Sequence, residues 1–232
     1  MEWRDMGMIE KYTKRRSQAA FTLIELLITM VIFSVAATAI YTSYLTQQKT
    51  YVAQAEVTAM QQNIRAGMYH LERELRMAGF DPHNTAEAGF LIAENDELQL
   101  TADLNEDGNM IAGTNDNNEQ VRYAVSDGYL RREVWGGGLQ PLAQNIEVLD
   151  LVYLDEDNDV LNPDLGDVSA NDLKKIRSVQ ITMVARTDKP DPEYRDTNVY
   201  RNQQDEIILA ARNDHYRRRT LTTTIRCRNM GL

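Results

Sequence analysis

The sequence predicts an α+β chain, in which one long N-terminal α-helix is packed over its distal half by an antiparallel β-sheet domain. Three observations predict it. Residues 21–45 form an apolar run, residues 47–78 continue with helical periodicity and no proline, and from residue 80 the pattern breaks into short segments divided by polar turns. A chain of 232 residues can bury one core and a second small lobe.

Charge is distributed unevenly along these parts. Residues 1–20 hold five basic side chains (Arg4, Lys11, Lys14, Arg15, Arg16) and three acidic ones (Glu2, Asp5, Glu10). From residue 17 to 48 the only charge is Glu25, and residues 79–232 carry 28 acids against 16 bases. A basic segment before an apolar one, with an acidic domain behind, predicts a cytoplasmic residue 1–20 segment and an external remainder. The formal net charge of −10 argues against a nucleic-acid binder, which needs a concentrated basic face. Cys227 is the only cysteine, which excludes an internal disulfide and a zinc site of several thiolates.

The run FTLIELLITMVIFSVAATAIYTSYL, residues 21–45, is long enough for the ~30 Å hydrocarbon layer of a bilayer. An ordinary signal peptide is cut after its apolar core, and no small-residue cleavage site follows Tyr41. A buried internal helix is the other reading. Glu25 is the anomaly, because a carboxylate in hydrocarbon costs on the order of 3 kcal/mol unless compensated. A cut before Phe21 would create an α-amine four residues ahead of it, able to neutralise it within one chain or between neighbours. Otherwise Glu25 is a solitary acid near the interface.

Beyond the apolar run, Met60, Ile64, Gly67, Leu71, Leu75 and Ala78 recur on one helical face, with Glu72 and Arg76 as an i,i+4 pair beside it. Gly79 followed by Pro82 supplies the stop. A helix over 21–78 has 58 residues and runs roughly 87 Å.

Strand character follows at 98–101 and 121–125. Ser126-Asp127-Gly128 reads as a three-residue hairpin loop into a strand at 129–134. Gly136-Gly137-Gly138 lacks the Lys-Ser/Thr ending of a phosphate loop. Further strands are predicted at 146–154, at 179–186, where Val179, Ile181, Met183 and Ala185 share a face, and around 221–227. Cys227 reads as a small buried hydrophobe. A sheet built from these would lay its apolar face over residues 60–78.

Two acidic loops are candidate cation sites. Asp103, Asn105 and Asp107 alternate and lead into Gly108 and Asn109, the first half of a calcium loop. The closing Glu of an EF-hand is replaced by Thr114, so Asp116 or Glu119 would have to close the site; a solvated acidic turn is the other reading. Asp155, Asp157 and Asp159 repeat the spacing, with Val160 in place of the glycine. Ca2+ is thus a possible ligand and no cofactor is required. No nucleophile motif or apolar acid–base pocket points to an enzyme. Arg212, Arg217, Arg218 and Arg219 read as a subunit contact or solvated face rather than a DNA site.

RRSQAAFTLIELL, residues 15–27, resembles the type IV prepilin signal, in which a prepilin peptidase cuts before Phe and N-methylates it. The resemblance implies a removed leader 1–20, processing at Ala20 and Phe21, and a docking role for Glu25 with Phe21; Ala20 stands where the family has Gly. LERELRMAGF (71–80), ADLNEDGN (102–109), VRYAVSDGYLRRE (121–133), PLAQNIEVLDLVYLD (141–155) and TLTTTIRCRNMGL (220–232) are similar to the PilW-like minor pilins. That resemblance implies a type IV pilin-like fold, with a long helix over 21–78, transmembrane over about 21–45, and an extracytoplasmic domain over 79–232. It implies a minor subunit of type IV pilus biogenesis that starts assembly near the tip. The implied partners are prepilin peptidase, other minor pilins, the major pilin and the inner-membrane assembly platform, and the implied location is the bacterial inner membrane and then the pilus. A type II secretion pseudopilin, and a tip module for adhesion or DNA, are the alternatives.

Overall fold

The computed structural model describes residues 21–108, 110, 118–163 and 166–231. One helix, α1 (Leu23–Leu75), precedes ten strands. The chain divides after residue 50 into two compact units.

In the first unit every described residue is exposed, and α1 contains a window of mean hydropathy 2.3. Six of its hydroxyl side chains bond the helix's own carbonyls rather than break it. Ser34, Thr38, Thr46 and Thr50 donate to the carbonyls four residues back, and Thr29 and Thr42 to those three back. No hydroxyl in this series is left to find a partner in an apolar surrounding.

The second unit is built around residues 51–75 of α1. Met60, Ile64, Gly67, Met68, Leu71, Glu74 and Leu75 are its buried helical positions, an i, i+3, i+4 stripe. A meander of β1 (Phe90–Ala93), β2 (Glu97–Thr101), β3 (Gln120–Ser126), β4 (Tyr129–Val134) and β5 (Gln140–Gln144) forms a five-stranded antiparallel sheet. β6 (Ile146–Leu154), β7 (Ser178–Arg186) and β10 (Arg218–Arg226) form a second sheet in the order β10-β7-β6. β8 (Tyr200–Arg201) and β9 (Ile207–Leu209) pair as a small ribbon. Two sheets, rather than the one expected, contribute to the core around the helix.

Gly67 marks where both sheets reach α1. A Cβ there would lie 2.8 Å from Leu130 Cδ2 on β4, 3.4 Å from Ala143 Cβ on β5 and 3.6 Å from Met183 Sδ on β7. Glu74, the one acid in the buried stripe, accepts from Arg132 Nη2 at 2.7 Å and Nε at 3.0 Å, and from the Tyr123 hydroxyl. A buried carboxylate is tolerable when paired in this way. The helix ends in a tightened turn, Gly79 takes φ +77°, and its N–H donates to Thr101 O at 3.0 Å.

The expected face of β7 is in the core: Val179, Ile181, Met183 and Ala185 pack with Leu149, Leu151, Tyr153, Ile225 and Cys227. The opposite face is also covered, since Thr182 and Val184 are buried. The β3–β4 hairpin corrects the three-residue reading. Ser126 pairs with Tyr129, leaving a two-residue loop in which Asp127 and Gly128 take φ +53° and +76°. Two successive positive φ angles make the turn whose twist matches the strands.

Candidate functional site

The helix start is a capping box. Thr22 N–H and Oγ1 each donate to Glu25 Oε2 at 2.8 Å, and Glu25 N–H donates back to Thr22 Oγ1 at 3.3 Å. A Thr followed three residues later by Glu satisfies backbone donors that a helix leaves open at its N-terminus. The Thr-x-x-Glu pattern of Thr22 and Glu25 is present in the sequence. Phe21 is highly exposed beside this box, at 85%; Ala20 lies outside the described residues. Glu25 therefore has a local partner one turn from a large apolar side chain.

Asp103, Asn105 and Asp107 form a tight loop after β2. Asp103 Oδ2 accepts from Gly108 N at 3.1 Å, and Asn105 Oδ1 accepts from Asp107 N at 2.8 Å. Glu106 and Gly108 turn the chain with φ +63° and +75°. Glu119, at the far end of the loop, folds back so that Oε1 accepts from Leu104 N at 2.9 Å and Asn105 N at 3.0 Å. Asn109 and Asp116 lie outside the described residues. No group of three or more His, Cys, Asp or Glu side chains among the described residues is gathered as a metal cluster.

The second acidic loop closes on itself. Asp155 Oδ1 accepts from Asp157 N at 3.0 Å and Asp159 N at 2.9 Å, and Asn158 at φ +67° makes the turn without glycine. Asp157 and Asp159 are exposed.

Within the arginine run Arg212 and Arg219 are exposed, whereas Arg217 and Arg218 turn into the fold. Arg218 has a side chain 1% exposed and is bound by three carboxylates: Glu147 at 2.5 Å, Asp196 at 3.0 Å and Asp214 at 2.7 Å. Its guanidinium pulls the Asp214 carboxyl down to about 2. Arg217 pairs with Asp191 at 2.8 Å and stacks 4.3 Å over Tyr194. The charges were legible in the sequence, but Asp191, Asp196 and Asp214 come from a segment, 187–217, with only the short β8 and β9 and no periodicity to place it. This hub ties that segment to the β6–β7–β10 sheet.

Cys227 is buried, and burial pushes its thiol up to about 12, the opposite of an activated nucleophile. A groove of about 580 Å³ is lined by Tyr69, Arg73, Arg76, Phe80 and Arg228 among others, with no nucleophile beside a base.

Residues 120–229 match the family described as type IV pilus-assembly protein W, and residues 15–41 match the prokaryotic N-terminal methylation motif. The two stretches together take in more than half of the chain. No curated protein matches it. Among solved structures it is similar to the type IV-like pilin TTHA1219 from Thermus thermophilus, at 16% identity and a TM-score of 0.49 over 74% of this chain and 98% of that one.

Proposed function

We propose that this chain, matched by the type IV pilus-assembly protein W family over 120–229 and by the N-terminal methylation motif over 15–41, is a minor pilus subunit that primes filament assembly near the tip. As such a subunit it is membrane-anchored and structural rather than an enzyme. The observation that carries the finer reading is the first half of α1. Residues 21–50 are exposed throughout, and from Leu26 to Leu45 they carry no charged side chain. Among the described residues nothing buries that surface, so lipid first and neighbouring subunits later are its natural environment.

In this reading prepilin peptidase cuts between Ala20 and Phe21 and methylates the new amine. The apolar helix then holds the subunit in the inner membrane with residues 79–232 on the extracytoplasmic side. The assembly platform lifts it into a bundle with other minor pilins and the major pilin. Glu25 exchanges its Thr22 partner for the Phe21 ammonium of an adjacent subunit, a charge-assisted contact in a low-dielectric seam. The β-sheet unit selects the neighbours.

Mass spectrometry of the N-terminus of this subunit in purified pili tests processing and incorporation together; the expected product begins at methylated Phe21. Glu25→Gln is expected to insert in the membrane yet enter pili poorly. Normal piliation and incorporation of that variant would refute the docking role. Loss of exoprotein secretion with pili intact, on deletion, would place the subunit in type II secretion instead.

A further inference from the structure

The buried acids of the second unit follow a rule with a revealing exception. Glu74 has Arg132, and Asp196 has Arg218. Asp103 and Glu119 are also buried, at 0% and 2% exposure, but among the described residues neither has a basic partner. Each spends one oxygen on the loop backbone: Asp103 Oδ2 on Gly108, and Glu119 Oε1 on Leu104 and Asn105. Their other oxygens, Asp103 Oδ1 and Glu119 Oε2, are buried with no hydrogen-bond partner. Two desolvated carboxylates turned onto the same six-residue loop, each with an oxygen idle, is an arrangement that like-charge repulsion and lost hydration both oppose. A cation between them reverses both terms.

We propose that Asp103 and Glu119, with Asn105, form a calcium site that locks the 103–108 loop to the start of β3. The donors are hard oxygens without imidazole or thiolate, which selects Ca2+ or Mg2+ over transition metals. Calcium accepts an irregular set of six to eight ligands, whereas magnesium demands a near-ideal octahedron. Glu119 reaches the site from beyond the loop and has one oxygen to give, unlike the bidentate Glu of an EF-hand. The site stands on side chains that the pilus reading does not use, so it goes beyond that reading. Its consequence is local: Asp103 N–H donates to Phe80 O at 2.7 Å, and Gly108 sits against Thr85. Calcium would thereby tie β2 and β3 to the chain just after α1. Asp150 is also buried without a hydrogen-bond partner, but it lies in β6 rather than in an oxygen-rich loop.

The test uses the full chain in detergent, stripped of metal, with thermal unfolding and calorimetric titration against CaCl2, MgCl2 and EGTA. Wild type is expected to bind one Ca2+ per chain and to melt roughly 5–10 °C higher in saturating calcium than in EGTA; magnesium should give less than half that shift. Glu119→Gln should lose the calcium shift and, freed of a desolvated charge, melt in EGTA at or above the wild-type temperature. Asp157→Asn, in the other acidic loop, should keep the full shift. Identical wild-type melting in calcium and EGTA overturns the site, with no dependence on how any variant folds. An equal response to magnesium overturns the assignment to calcium.

Discussion

Asp150→Asn should stabilise this protein at neutral pH, and the gain should vanish in acid. Asp150 lies in β6 at 2% exposure with neither carboxylate oxygen hydrogen-bonded. Burial pushes its carboxyl up to about 6, against an ordinary value of 3.8; the Asn202 side chain opposes the shift and the Glu206 carboxylate adds to it. A folded value above the unfolded one means that the native state holds the extra proton between these limits. Its contribution is therefore full below about pH 4 and lost as pH rises through 6. About two pH units at ~1.4 kcal/mol each give a cost of about 3 kcal/mol at pH 7. Asparagine keeps the shape without the charge. The assay is urea unfolding of wild type and variant, followed by tryptophan fluorescence at pH 4, 5.5 and 7.5. The difference between the two proteins should grow from near zero to about 2–3 kcal/mol across that series. A variant less stable than wild type at pH 7.5, or a difference that ignores pH, would refute the reasoning.

Gly67→Ala should lose about 1 kcal/mol despite gaining helix propensity, because the new methyl meets Leu130 at 2.8 Å in a closed core; chemical denaturation measures it, and a more stable variant would mean that Leu130 can swing aside. Arg218→Met should cost about 3–5 kcal/mol at pH 7 by leaving three carboxylates facing one another. Asp214 is held down to about 2 in the wild type, so that difference should shrink as pH falls from 4 toward 2, which a pH series of thermal melts would reveal. Tyr123→Phe should cost about 1.5–3 kcal/mol by removing the hydroxyl donor to Glu74, with the Arg132 pair left in place; equilibrium unfolding reads it directly.

What could be read in advance was whatever periodicity carries. The stripe from Met60 to Leu75 and the alternation of Val179, Ile181, Met183 and Ala185 depend only on 3.6- and 2-residue repeats, and both are in the core. Short strands escaped: β1 and β5 have four and five residues, too few to establish a repeat. β8 and β9 are shorter still. Polar partners across long separations escaped entirely. Glu74 sits 58 residues from Arg132, and Glu147 71 residues from Arg218. Asp103, Asn105 and Asp107 announced themselves by spacing, but Glu119 gained its importance only when the fold brought it onto Leu104 and Asn105. Thr22 was the opposite case, fully legible as a capping residue once Glu25 is counted as the third helical position.

The hydroxyls of α1 also bear on how the helix carries load. From Ser34 to Thr50, side chains at four-residue steps draw on carbonyls that already serve the helix ladder. A shared acceptor holds its amide less tightly, and such back-bonding slightly loosens and bends helices. Under tension, residues 34–50 should therefore yield before residues 60–75, which are clamped by side chains of both sheets. Replacing Thr38 and Thr42 by Val should slow amide exchange in that stretch, and unchanged exchange would remove the effect. The same threonines that make the helix compatible with an apolar surrounding would make it the compliant spring of any filament that contains it.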